Sequence, residues 1–491
     1  VGCHLFGEGE VRGEMVGGMD CGVVTEIEVA ECEGLVALYQ GLGGPGWARQ
    51  AGWLGDEWPC EWEGVVCAGG HVVGLDLSDN NLVGEVPAGI GALQWLDWLY
   101  IYRNQITGLP AEFGQLVNLR HLDMRVNQIE VLPAEFGDLA TLTWLVANDN
   151  ELNSLPPTFG QLSQLETLYL YENQLTSLPE SLGQLSNLTV LNLYNNELTQ
   201  LPESFGQLGK LRELTLYNNR LTTLPASFGD LEQLEWLHLY NNELTYLPDS
   251  FGDLDSLNWL RLNDNQLEVL PASIGGLIQL EMLQLDNNFI GELPSEIGGL
   301  INLKEFYIKN NRLSTLPSTI GNLSNLQHLN VTANEINILP AEIGQLTQIL
   351  SMQLQNNQLM ELPDEIGQLV NMGALYVHDN RLTSLPNTIG DLSGAVAFYI
   401  QNNRINRLPT TITQLNIRYL EVQNNPFVGP MPVFLQQISE LNHFDYRGTL
   451  WCVYTTDTPM LAWLEGLEEH SGTGLVCEEM PPAVYLPLVR R

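Results

Sequence analysis

Tyr171, Tyr194, Tyr217 and Tyr240 recur at intervals of 23 residues, and Tyr169, Trp236, His238, Trp259 and Arg261 stand close by in the same phrases. Aromatic rings beside one imidazole and one guanidinium can stack, exchange hydrogen bonds and hold a ligand in place. They include no nucleophile set beside a base, so the chemistry they offer is recognition rather than bond breaking. The rest of the chain agrees: it has no HExxH, no GxSxG, no phosphate-binding glycine loop followed by Lys-Ser or Lys-Thr, and no paired CxxC. His121, His238, His328, His378 and His443 are at least 50 residues apart, too far for a shared metal or a triad. Neither a catalytic residue nor a cofactor nor a metal is expected.

What positions the rings is a repeat. The template LxxLxLxxNxL fits first at Val72, Leu75, Leu77, Asn80 and Leu82, and its asparagine returns at 104, 127, 150, 173, 196, 219 and 242. It continues at 265, 288, 311, 334, 357, 380, 403 and 425, which makes sixteen repeats of 23 residues, apart from one interval of 24 at the start and one of 22 at the end. In each repeat the alternating LxL segment predicts a short strand. The LPxxFGxL segment predicts a return over the outer side, with proline opening a helical turn and glycine permitting a tight bend. Successive strands must then run parallel, about 4.8 Å apart. The predicted fold is an α/β solenoid, a horseshoe with a parallel concave sheet and short helical or irregular convex segments. Its leucine core is one that no single repeat closes alone. The recurring asparagine reads as structural, its amide meeting backbone groups where the strand bends away. The acidic stretch DLSDNN at 76–81 has the look of a calcium loop, but the template already explains it.

Because strand side chains alternate, three positions per repeat face the concave side, 48 in all. Eleven of the sixteen tyrosines occupy them, where even placement over 491 residues would put fewer than two, so the inner face is selectively aromatic. The same positions carry six acids and three bases, a net charge of -3, although the chain has 59 acids against 19 bases and a net charge of -40. A nearly neutral trough of rings and amides suits a protein, peptide or glycan ligand. The strongly acidic remainder repels nucleic acid and anionic membranes. No apolar run approaches the roughly 20 residues needed to span a bilayer.

Seven cysteines, at 3, 21, 32, 60, 67, 452 and 477, fall only near the two ends. That distribution suggests disulfide-stapled caps and export, with one thiol left over. Pairing of Cys452 with Cys477 would close the end of the core. The chain begins at Val1, which fits a removed leader, and Val1-Gly2-Cys3 fits the end of a lipoprotein cleavage signal; an unlipidated, processed start is the preferred reading.

Residues 71–428 resemble the leucine-rich repeat family. Their LPxxIGxL return segments are similar both to exported plant and bacterial members and to intracellular Ras-group scaffolds. Residues 31–67, and above all PCEWEGVVC, resemble the plant-type N-terminal cap, so that an N-terminal segment and cap occupy 1–70 and a C-terminal cap and tail 429–491. The resemblance implies that Cys60 pairs with Cys67 and that Trp62 packs at the cap; for Cys32 it leaves Cys21 and Cys3 as partners. In LNHFDYRGTLWC a degenerate strand is expected and in TPMLAWLEGLEEH a helix, while the tail MPPAVYLPLVRR reads as a cap strand in preference to a sorting signal or assembly arm. The expected protein is a secreted or cell-surface, non-enzymatic recognition module. Its alternatives are a surface, adhesive or filament subunit that self-associates through caps or tail, and an intracellular signalling scaffold.

Overall fold

The structure, a computed structural model, describes residues 19–479. Cys3, the start of the chain and the tail from 480 onward lie outside the described residues, and with them the leader, lipidation and tail readings. The chain divides into two compact units, Val1–Leu234 and Glu235–Arg491. Each is a solenoid of short parallel strands joined by return turns.

In the first unit an antiparallel hairpin, Val65–Ala68 against His71–Asp76, begins the sheet. Trp98–Tyr100, His121–Asp123, Trp144–Val146, Thr167–Tyr169, Val190–Asn192 and Glu213–Thr215 then add in parallel, each in register with the one before. In the second unit the same pairing runs from Trp236–His238 to Tyr419–Glu421, and it continues through His443–Asp445 and Glu469–Ser471. A parallel pair needs a crossover, and here that is one turn of 3-10 helix, such as Glu180–Gln184 after Pro179 or Glu203–Gln207 after Pro202. Proline starts these turns as expected. Glycine does something else: Gly183 and Gly206 do not adopt a positive φ, but a Cβ on them would come within 2.2 and 2.1 Å of the carbonyl oxygens of Ser204 and Ser227. Adjacent turns nest so closely that only a bare backbone fits.

Leucines of the strands and returns are almost wholly buried, and on the outer side Phe113, Phe136 and Phe159 stack at 6.0 and 6.2 Å between centroids. The buried asparagine closes each bend. Asn196 Nδ2 donates to the carbonyls of Leu170 (3.0 Å) and Leu193 (3.1 Å), while its Oδ1 accepts the Leu175 N–H at 3.0 Å. One side chain thereby satisfies three backbone groups in two successive repeats. The residue before it takes the left-handed conformation in repeat after repeat, from Arg103 at φ 53° to Asn424 at φ 54°. Asn and Asp fill most of these positions because they tolerate that region best. This explains the first member of each Asn pair, which the repeat template leaves open.

At the N-terminal end helix α1 (Val29–Gly41) packs beside a cluster of Tyr39, Trp47, Trp53 and Trp62. The three indole N–H groups each reach a carbonyl, those of Leu42, Glu63 and Glu57. Disulfides join Cys60 to Cys67 and Cys21 to Cys32, which settles the partner of Cys32. At the other end helix α2 (Thr458–Glu465) follows the expected degenerate strand, and Cys452 is bonded to Cys477. Among the described residues no helix is long and apolar enough to cross a membrane.

Two substitutions test this account. Val126 holds φ 56° with a β-branched side chain, so Val126→Asn should raise stability by about 1 kcal/mol, read as a higher urea midpoint. Asn196→Ala leaves the buried Leu175 N–H without its acceptor, at roughly 1–3 kcal/mol, while Leu170 O and Leu193 O keep the amides of Asn173 and Asn219; it should lower the midpoint, with faster amide exchange at Leu175.

Candidate functional site

A three-residue strand presents its middle side chain to the core and the flanking ones to the inner face. Thus Leu191 is buried, while Val190, Asn192 and, two residues beyond the strand, Tyr194 face inward. In-register pairing then brings equivalent residues into columns. In the first unit Tyr171, Tyr194 and Tyr217 form one: the Tyr171 and Tyr194 centroids are 4.4 Å apart at 10°, those of Tyr194 and Tyr217 4.5 Å apart at 6°. These distances are shorter than the roughly 4.8 Å between strands, so the rings lean together and cover each other's faces. Tyr169 sits across from Tyr171 at 6.3 Å, tilted by 55°. What the column offers a ligand is therefore ring edges and hydroxyls.

The Tyr171 and Tyr194 hydroxyls stay protonated. Burial against the neighbouring rings, then the Glu172 carboxylate, pushes the Tyr194 phenol up to about 12, and burial raises Tyr171 as well. Glu172 is itself raised, first by its hydrogen bond with the Asp149 carboxyl. Along the rim runs a second chain of amides on the left-handed residues, with Asn218 Nδ2 donating to Asn195 Oδ1 at 2.5 Å.

In the second unit Trp236 and Trp259 stack at 5.1 Å and 21°, with Trp236 37% exposed. His238 and Arg261 are register partners on the next inward column, and the Tyr240 ring meets His238 edge-on at 6.3 Å. Burial first, and the Arg261 guanidinium second, lower the His238 pKa below its ordinary value. Arg261 Nε is buried without a hydrogen-bond partner.

The structure thus groups Tyr169, Tyr171, Tyr194 and Tyr217 in the first unit, and Trp236, His238, Tyr240, Trp259 and Arg261 in the second. A stack at 4.7 Å and 4°, Tyr376 on Tyr399, joins residues that the sequence placed inward but left out of the candidate site. Sequence reasoning also passed over Thr143 and Glu166, one residue before their strands. With Tyr100, His121, Trp144 and Thr167 they line a hollow of about 300 Å³. Among the described residues no three of His, Cys, Asp or Glu come together as a metal site would require.

Comparison with known proteins places this geometry. A family model described as a leucine-rich repeat region matches residues 112–193, 226–311 and 295–379, and another described as leucine rich repeat matches 71–129 and 186–244. A leucine-rich repeat protein of Leptospira interrogans is 33% identical over 80% of this chain and 94% of its own, with a TM-score of 0.62. A TDR receptor is 26% identical over 82% of this chain and 76% of its own, with a TM-score of 0.61. The functional domain of InlJ from Listeria monocytogenes shares the fold at 21% identity, over 73% of this chain and 74% of its own, with a TM-score of 0.57. No curated protein matches the chain.

The His238 environment makes a pH prediction. Its folded midpoint lies below the ordinary 6.5, so between the two values the unfolded chain binds more protons and stability falls as pH drops through that window. NMR titration of the imidazole should place its midpoint below 6.5. Arg261→Gln should raise that midpoint yet leave it below 6.5, because burial is the larger cause.

Proposed function

The chain belongs to the leucine-rich repeat family, and on that premise we propose that it is a secreted or cell-surface, non-enzymatic recognition protein whose aromatic inner columns bind a protein or peptide. The observation that carries this reading is the Tyr171–Tyr194–Tyr217 stack. A sugar ring binds an aromatic side chain through its face, and these faces cover one another. A polypeptide uses edges and hydroxyls, whose donors and acceptors match backbone amides. The stacked Trp236 and Trp259, with Trp236 37% exposed, add apolar area in the second unit.

Three further points support it. The net charge of -3 on the inner positions keeps them free of strong attraction for polycations. Disulfides at both ends persist in oxidising compartments, in line with export. The TDR receptor, similar over most of its length, is by its name a receptor.

Replacing Tyr171, Tyr194 and Tyr217 together by Phe separates the two roles of these rings. The stack survives, so thermal unfolding should move by no more than about 2 °C, since the packing area is retained. Capture of the ligand, identified by pull-down with the intact chain and measured by calorimetry, should weaken about 10- to 100-fold, as expected for several lost hydrogen bonds of roughly 0.5–1.5 kcal/mol each. Unchanged affinity in the triple Phe variant would remove the column from the site.

A further inference from the structure

The first unit has a second opening on the same face, the hollow lined by Tyr100, His121, Thr143, Trp144, Glu166 and Thr167. Beside it a column is broken. Register aligns Tyr100, Asp123, Val146 and Tyr169, so that two short side chains stand between two large rings. Asp123 and Val146 are 3% and 2% exposed, so beside the hollow the column carries no ring between Tyr100 and Tyr169.

The rings here are not stacked away. Trp98 and Tyr100 are tilted by 34° at 5.0 Å, and His121 and Trp144 by 50° at 6.4 Å, in contrast to the near-parallel tyrosines. Splayed rings leave face area open to an occupant. At the rim Glu166 is exposed, and among the described residues it has no ion-pair partner. The nearby cations are already engaged: Arg120 Nε lies 3.4 Å from Asp97, and Arg125 lies 3.4 Å from Asp123 and over the Tyr102 ring at 4.9 Å.

We propose that this hollow holds a cationic side chain of a peptide ligand, a lysine ammonium or arginine guanidinium, with its charge on Glu166 and its stem against Trp144 and Tyr100. A carboxylate without a partner beside open aromatic faces supplies both attractions that such a group uses. A net charge of -40 draws cations toward the molecule as a whole. The proposal rests on the peptide-binding reading for the nature of the ligand, while the site is separate from the tyrosine column.

The test uses the full chain labelled with 5-fluorotryptophan, the Trp144 signal being assigned through Trp144→Phe. It is titrated with acetyl-Gly-Lys-Gly-amide, with the arginine and norleucine counterparts, and with methyl glucoside. The lysine and arginine peptides should shift Trp144 saturably, norleucine far less, and Glu166→Gln should weaken the lysine peptide by about fivefold, the upper range for an exposed ion pair. Equal shifts with norleucine, saturation by the glucoside alone, unchanged affinity in Glu166→Gln, or no saturable shift at tens of millimolar would each overturn it. The titration reads only the hollow, so its failure leaves the outcome at the tyrosine column untouched.

Discussion

The constraint on which both units depend is the buried asparagine at each bend. Its amide donates to a carbonyl of its own repeat and to one of the repeat before, and it accepts an N–H from that earlier repeat. Moving it by one residue would break all three bonds. The irregular intervals demonstrate the point. Asn104 follows its predecessor by 24 residues and Asn425 by 22. Yet Asn104 still joins Leu77 O, Ile101 O and Leu82 N, and Asn425 joins Ile400 O, Val422 O and Ile405 N. These are the partners that Asn196 has, counted from the neighbouring asparagine. The length change is absorbed in the return segment, and the bend keeps its geometry.

The left-handed residue just before the asparagine is the second half of the device. It turns the chain so that the amide points inward, and its identity is a matter of local cost. Asn or Asp at 195, 218, 264 and 287 meets it readily, whereas Val126 and Ala333 are held there by the bonds on either side. Tertiary context over-determines those two positions, as it does when local preference and global fold disagree at only a few places. The ladder of side-chain hydrogen bonds, Asn287 Nδ2 donating to Asp264 Oδ1 and Asn310 Nδ2 to Asn287 Oδ1, gives the same residues a further role, linking successive repeats along the rim.

The fold was legible because the period was. Strand positions, the core leucines and the structural role of Asn196 all follow from the spacing. Other features needed coordinates. Glycine in the return segment looked like a bend residue, and only the close approach of Ser204 and Ser227 reveals that it is there for nesting. Beyond 428 the sequence showed only a degenerate strand, because Gly448, at φ 65°, and Thr449 stand where the asparagine pair would be, with Thr449 Oγ1 donating to Tyr446 O at 2.8 Å. A hydroxyl does part of the amide's work, and the template does not register it. For the site, alternation placed the rings on the inner face, but ring orientation decides whether faces or edges meet a ligand. Orientation depends on side-chain rotamers, which no sequence pattern encodes. The same holds for Glu166, which precedes its strand and so fell outside the alternation rule.

What remains is why the inner positions can carry recognition at all. Each strand is held by its core leucines on one side and by the asparagine at its end, and neither depends on the three residues facing inward. Aromatic pairs across strands contribute roughly 0.2–1 kcal/mol. Each backbone group that the amide satisfies would cost roughly 1–3 kcal/mol if orphaned. The fold can therefore lose a ring and keep its bend, but not the reverse. Tyr194 occupies a repeat position at which Asn148, Asp286, Thr332 and Gln355 serve equally well as parts of a repeat. At the same repeat position Asn148 Oδ1, Thr332 Oγ1, Gln355 Oε1, Gln401 Oε1 and Gln423 Oε1 are buried without a hydrogen-bond partner among the described residues. Folding does not require polar atoms to be left in that state, since an apolar side chain at the same positions would avoid the loss. The inner positions are thus the ones whose identity the core leucines and the bend asparagines leave unspecified.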